Sequence, residues 1–223
     1  MFTPELLSPA GSLKNMRYAF AYGADAVYAG QPRYSLRVRN NEFNHENLAK
    51  GIKEAHEMGK CFYVVVNIAP HNAKLKTFIR DLTPVIEMQP DALIMSDPGL
   101  IMLVRETFPA MEIHLSVQAN AVNWATVKFW QQMGLSRIIL SRELSIEEIA
   151  EIRQQVPDIE LEIFVHGAHF AWPILVVAYY LVILISAIPI KAPVPTLAVG
   201  NIKYKKEKKT QSVILFIIIN RLR

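Results

Sequence analysis

Cys61-Phe62-Tyr63-Val64-Val65-Val66-Asn67-Ile68 is an apolar run without alternation. A strand with one wet face alternates polar and apolar residues. A continuous run rich in β-branched and aromatic side chains is buried on both faces, which is the mark of a parallel sheet. The helix before it is capped by Asn44 and ended by Gly59, and the spacing after it predicts a helix over 74–88.

The same unit recurs in both directions. Upstream lies a strand over 5–7, a turn at Ser8-Pro9-Ala10-Gly11, and a helix over 13–22 capped by Ser12 and closed by Gly23. A strand over 26–29 follows, then a long loop with Arg33, Arg37 and Arg39. Downstream, strands over 92–95, 113–117, 137–140 and 161–165 alternate with helices starting at Pro98, at Trp124 and after Ser145. Ser145 with Glu148 has the spacing of a capping box. Seven such steps predict an α/β fold, a TIM-barrel-like (β/α)8 architecture that is incomplete, with about seven strands and the last unit missing. A doubly wound open sheet is the alternative, but Ser8-Pro9-Ala10-Gly11-Ser12 is not the GxGxxG turn that binds dinucleotides.

The regular pattern stops at Ala168. Residues 1–168 read as one TIM-barrel-like domain and 169–223 as a non-native tail. Of the 24 basic and 20 acidic side chains, 8 and 1 fall in the tail, so the tail carries +7 and the body −3. The basic balance of the whole chain therefore says nothing about nucleic-acid affinity of the body. The tail between Pro173 and Pro189 has 15 residues without interruption, short of the roughly 20 needed to cross a bilayer. A membrane anchor is disfavoured on that count. The N-terminus lacks a basic segment followed by an apolar one, so the body is expected to be cytoplasmic. A reading frame displaced by one base permits, across the same codons, a soluble sequence with mixed charge, turn glycines and four cysteines. This points to a frameshift after Ala168.

In a parallel barrel, chemistry sits where strands end. Ser8, Tyr28, Asn67, Asp97, Gln118, Asn120, Arg142, Glu143 and His166 are the polar residues at those points. His166 and Glu143 are the candidate catalytic groups, His166 as a general acid, base or ligand. A backbone-bonded histidine and an Arg142–Glu143 pair are the structural alternatives. Asn67, Gln118, Asn120 and Arg142 are candidate substrate contacts, together with Arg33, Arg37 and Arg39, which suit a carboxylate or phosphate. A solvated basic loop is the plainer account of those arginines. No GxSxG elbow or HExxH helix is present. Cys61, the only cysteine, reads as a buried small hydrophobe, and His114 as a strand residue facing the core.

Glu162, Phe164, Gly167 and Ala168 spell Glu-x-Phe-x-x-Gly-Ala. With the blocks at 4–43 and 114–134, they resemble the U-32 peptidase family, whose members are often named collagenase-like proteases. The resemblance runs over 2–168. It implies a barrel-like domain, and in intact members an iron–sulfur cluster on converging cysteine thiolates. The cysteine half of the signature occurs only in the displaced frame. Its positions hold Phe170/Ala171, Val177/Ala178, Pro193/Val194 and Leu197/Ala198 here, so the resemblance brings no cluster or metal site to this chain. Within the family, the resemblance is to a branch acting in prephenate-dependent 5-hydroxylation of the tRNA wobble uridine, which implies tRNA and prephenate as partners. This chain, lacking the cluster half, is expected to be inactive. The family name implies a peptide substrate as the alternative, and a tail-anchored membrane binding protein is the second.

Overall fold

The computed structural model describes residues 4–36 and 41–165, and the backbone of 216–219. Seven parallel strands run in chain order, each paired with the next: β1 (Glu5–Pro9), β2 (Ala26–Gly30), β3 (Cys61–Val66), β4 (Ala92–Met95), β5 (Ile113–Leu115), β6 (Arg137–Ile139) and β7 (Glu160–Phe164). Helices α1 (Leu13–Ala21), α2 (His45–Glu57), α3 (Asn72–Glu87), α4 (Pro98–Thr107), α5 (Trp124–Gln132) and α6 (Ile146–Gln155) make the crossovers. The incomplete (β/α)8 barrel predicted from the repeat is the observed fold.

The missing last unit has a consequence at the sheet edges. A barrel that lacks its last unit should leave the outer edges of β1 and β7 unpaired. Instead β8 (Phe216–Ile219) lies between them, antiparallel to both, with Ile217 opposite Leu6 on one side and Ile163 on the other. The physical reason is general. Open strand edges present unmatched N–H and C=O groups, and a short β-branched run is a ready partner for them. This strand lies inside the stretch assigned to the tail.

The two-residue period of each strand sorts its side chains. On β3, Phe62, Val64 and Val66 face the helices, where Leu48, Ile52, Phe78 and Leu82 are buried in the same cluster. Tyr63 and Val65 face the barrel axis with Leu7, Ala26, Ala92, Ile94, Ile139 and Phe164. Both faces of β3 are therefore apolar, which accounts for the continuous run at Cys61–Val66. Cys61 itself is half-buried and packs at the edge of the inner cluster.

The helix caps form as local chemistry dictates. Ser12, Asn44 and Ser145 accept from the backbone N–H three residues on, and Glu148 completes the box on Ser145. Four strands end earlier than expected, β6 by one residue at Ile139 and β7 by one at Phe164. β3 ends at Val66, and β5 ends at Leu115, after which Val117–Ala119 is a 3-10 turn closed by Asn120 at φ 53°. Asparagine tolerates that left-handed backbone because its short side chain bonds locally.

Candidate functional site

A cavity of about 1040 Å³ opens at the strand C-termini and continues along α1, past Asn15, Tyr18 and Tyr22. Ser8 and Pro9 of β1, Tyr28 and Gly30 of β2, Val65 and Asn67 at the end of β3, and Ile94 of β4 contribute to its wall. Ser116, Val117 and Gln118 follow β5, Ile139 ends β6, and Glu162 and Phe164 come from β7. At the rim, Arg142 lies over the Phe164 ring with Cζ 3.8 Å from its centroid, and both residues line the cavity.

Below this mouth the barrel holds a charged cluster. Arg137, the first residue of β6, is almost fully buried. It donates through Nε to Glu160 Oε2 at 2.8 Å, and through Nη1 and Nη2 to Glu5 at 3.3 and 3.4 Å. The Tyr63 hydroxyl donates to Glu5 Oε1 at 2.8 Å, and the Tyr63 ring meets the His114 ring edge-on. Glu162 Oε2 is 4.0 Å from Arg137 Nη1. Burial works against the charge of Arg137, but the Tyr63 oxygen and the acidic side chains of Glu5, Glu162 and Glu160 outweigh it and keep the guanidinium protonated. Burial pushes Glu162 up to about 8, against the pull of Arg137 and with help from Glu5 and Glu160. His114 is held well below the usual imidazole range by burial and by Arg137, so it is neutral.

The structure brings Ser8, Tyr28, Asn67, Gln118 and Arg142 together around the cavity. Asn67 and Gln118 also border a neighbouring depression with His71, Lys74 and Asp97, whose side chain caps α4. Three predicted site residues stand outside the lining. Arg33 pairs with Asp81 at 2.5 Å and flanks the Tyr34 ring. Asn120 accepts from the Ser141 hydroxyl at 3.3 Å. Glu143 is exposed, and the same hydroxyl donates to it, holding its carboxyl below the usual carboxylate range. Arg37, Arg39, His166, Gly167 and Ala168 lie outside the described residues. Sequence reasoning passed over the inner cluster of Arg137, Glu5, Glu160 and Tyr63, and took Glu162 only as part of a signature. The available signal was Glu160-Leu161-Glu162, two acids one strand period apart.

The residues present do not fit an iron–sulfur cluster. The chain has a single cysteine, and its thiol is pushed up by burial and by the charges of Asp91 and Glu5, the wrong direction for a thiolate ligand. Among the described residues no group of three His, Cys, Asp or Glu side chains is placed to hold a metal ion. Among them, too, no helix is long and apolar enough to cross a membrane.

A parallel barrel with polar groups gathered at the strand C-termini defines a TIM-barrel-like α/β protein with its site at the mouth. Residues 11–172 match the family model of Peptidase family U32, and the chain belongs to that family. It is 88% identical over 168 residues to the tRNA hydroxylation protein P of Escherichia coli (strain K12), a match covering 75% of this chain and 37% of that relative. It is 35% identical over 164 residues to the 23S rRNA 5-hydroxycytidine C2501 synthase of the same organism, covering 74% of this chain and 24% of that relative. The chain thus spans little more than a third of the length of the first of these. In fold it is similar to the solved structure of a U32 peptidase, with a TM-score of 0.61 at 16% identity over 81% of this chain and 74% of the other.

Proposed function

We propose that this chain carries the barrel of an RNA-hydroxylating protein that acts at C5 of a tRNA uridine with prephenate as its small-molecule input. The observation that carries the reading is the 88% identity to a tRNA hydroxylation protein, which runs through the whole parallel barrel. The similarity to an rRNA 5-hydroxycytidine synthase points to the same class of chemistry, oxygen placed on C5 of a pyrimidine. The cavity suits an RNA group in kind. Arg142 offers a cation at the rim, Asn67 and Gln118 offer hydrogen bonds, and Ile94, Ile139 and Phe164 offer apolar surface for a base. The redox input in this reading is an iron–sulfur cluster on thiolates that this chain lacks, so the chain alone is inactive.

The peptidase reading rests on the family's name. The local geometry gives it little. The Ser96 hydroxyl donates to the Asn67 carbonyl, and the Ser141 hydroxyl is directed at Glu143 and Asn120 rather than at a histidine.

Nucleoside mass spectrometry of tRNA separates the two. A strain deleted for the full-length relative should lose 5-hydroxyuridine-type nucleosides. The full-length protein should restore them and this chain should not. Unchanged 5-hydroxylation in the deletion strain would sink the RNA reading.

A further inference from the structure

The mouth cavity is bordered by a carboxyl group that has no hydrogen-bond partner among the described residues. Glu162 is fully buried, and among the described residues neither Oε1 nor Oε2 has a hydrogen-bond partner. Arg137, 4.0 Å away, already donates to Glu5 and Glu160. A buried polar group left without a partner destabilises the fold, so its presence calls for a use. The strand period directs it. On β7, Leu161 and Ile163 pack outward against the helices, while Glu162 and Phe164 line the cavity.

We propose that Glu162 seats the N3/C4 edge of a pyrimidine base in this cavity, through one donated and one accepted hydrogen bond. The proposal rests on the RNA-hydroxylation reading and names the contact within it. Uracil presents the O4 acceptor beside the N3–H donor. Cytosine presents the N3 acceptor beside an N4–H donor. A neutral acid, with one donor and one acceptor, complements either edge. An ionised carboxylate only accepts, and would meet O4 of uracil with repulsion. The surroundings favour the neutral form. Burial dominates, Glu5 and Glu160 add negative charge, Arg137 opposes them, and the neutral Tyr63 and His114 complete the interior. Pairing along N3/C4 leaves C5 outside the hydrogen-bonded edge. The apolar walls at Ile94, Ile139 and Phe164 suit the faces of the ring.

The test uses a stem-loop RNA with one unpaired uridine in its loop, and the same RNA with N3-methyluridine there, which lacks the N–H donor. Binding of both to this chain is measured at pH 6.5. The methyl group should weaken binding by wild type about tenfold or more and leave E162A binding unaltered. E162Q keeps a donor and an acceptor, so it should discriminate as wild type does but without the loss of affinity that wild type shows above pH 8. Equal methyl penalties in wild type and E162A would overturn the proposal, as would the same fall with pH in E162Q as in wild type. Failure of wild type to bind either stem-loop more tightly than a fully paired hairpin of equal length would sink the RNA reading itself, and the proposal with it.

Discussion

Arg137 Nη1 lies 4.0 Å from Glu162 while its guanidinium donates to Glu5 and to Glu160, so one buried cation serves three carboxyl groups inside the barrel. Removing it leaves the partly exposed Glu5 and Glu160 with uncompensated charge at the lower end of the barrel. Breaking a buried ion pair from one side typically costs about 3–5 kcal/mol. Arg137→Met is therefore expected to lose stability in that range, read from the urea midpoint at constant slope. A loss under about 1 kcal/mol would show that the cluster does not hold the barrel together.

Glu162 makes stability depend on pH. Its folded-state pKa, about 8, lies above the ordinary carboxylate value near 4.5. The folded state therefore keeps a proton that the unfolded state has already released, and unfolding becomes easier as pH rises between those values. The contribution is fully present below about pH 4 and is lost by the time the folded carboxyl ionises. Glu162→Gln removes this term. Relative to wild type, the variant should gain about 1 kcal/mol or more between pH 5 and pH 9 in denaturation measured at both. A constant difference between the two proteins would contradict the raised pKa.

Arg142 predicts a separable effect. Its guanidinium rests on the Phe164 ring at the rim and it is exposed, so Arg142→Ala should cost no more than about 1 kcal/mol of stability. If the rim meets RNA phosphate, the same change should reduce affinity and make the dependence of log K on log salt shallower by about one unit. Salt titration of RNA binding reads both. An unchanged slope would place Arg142 off the phosphate path.

Much of the fold could be read because its causes are local. Ser12, Asn44 and the Ser145–Glu148 box act within one helical turn, so the sequence alone locates those helix starts. The double-faced apolar character of Cys61–Val66 likewise follows from composition. The inner cluster was out of reach for the opposite reason. Glu5 and Arg137 are 132 positions apart, and each begins a strand, where a charged residue ordinarily meets water. Only closure of the barrel turns both onto one axis. The site divided on the same principle. Asn67, Gln118 and Arg142 lie just past strand ends and reach the cavity, whereas Glu143 finds a local partner in Ser141 and Arg33 a distant one in Asp81, 48 positions on, which no local pattern announces. The partner of β1 and β7 was missed because nothing in the repeat announces an antiparallel strand from so far along the chain.

That strand gives the last prediction. β8 contributes backbone pairing to β1 through Glu5, Leu6 and Leu7, and to β7 through Leu161, Glu162, Ile163 and Phe164. Deleting residues 216–223 removes it and leaves two strand edges open. Edges of this kind pair with other chains, and here they flank an apolar interior, so the shortened chain should associate. Light scattering at matched concentration should show larger particles than the full chain gives, and added urea well below the unfolding midpoint should not disperse them. Removal of β8 also breaks the wall beside Glu162, which pairs with Ile218. Water entering there would relieve the desolvation that raises the carboxyl, so the pH dependence of stability should flatten in the same variant. A deletion that stays monomeric and keeps the full pH dependence would show that β8 does not close the barrel in solution.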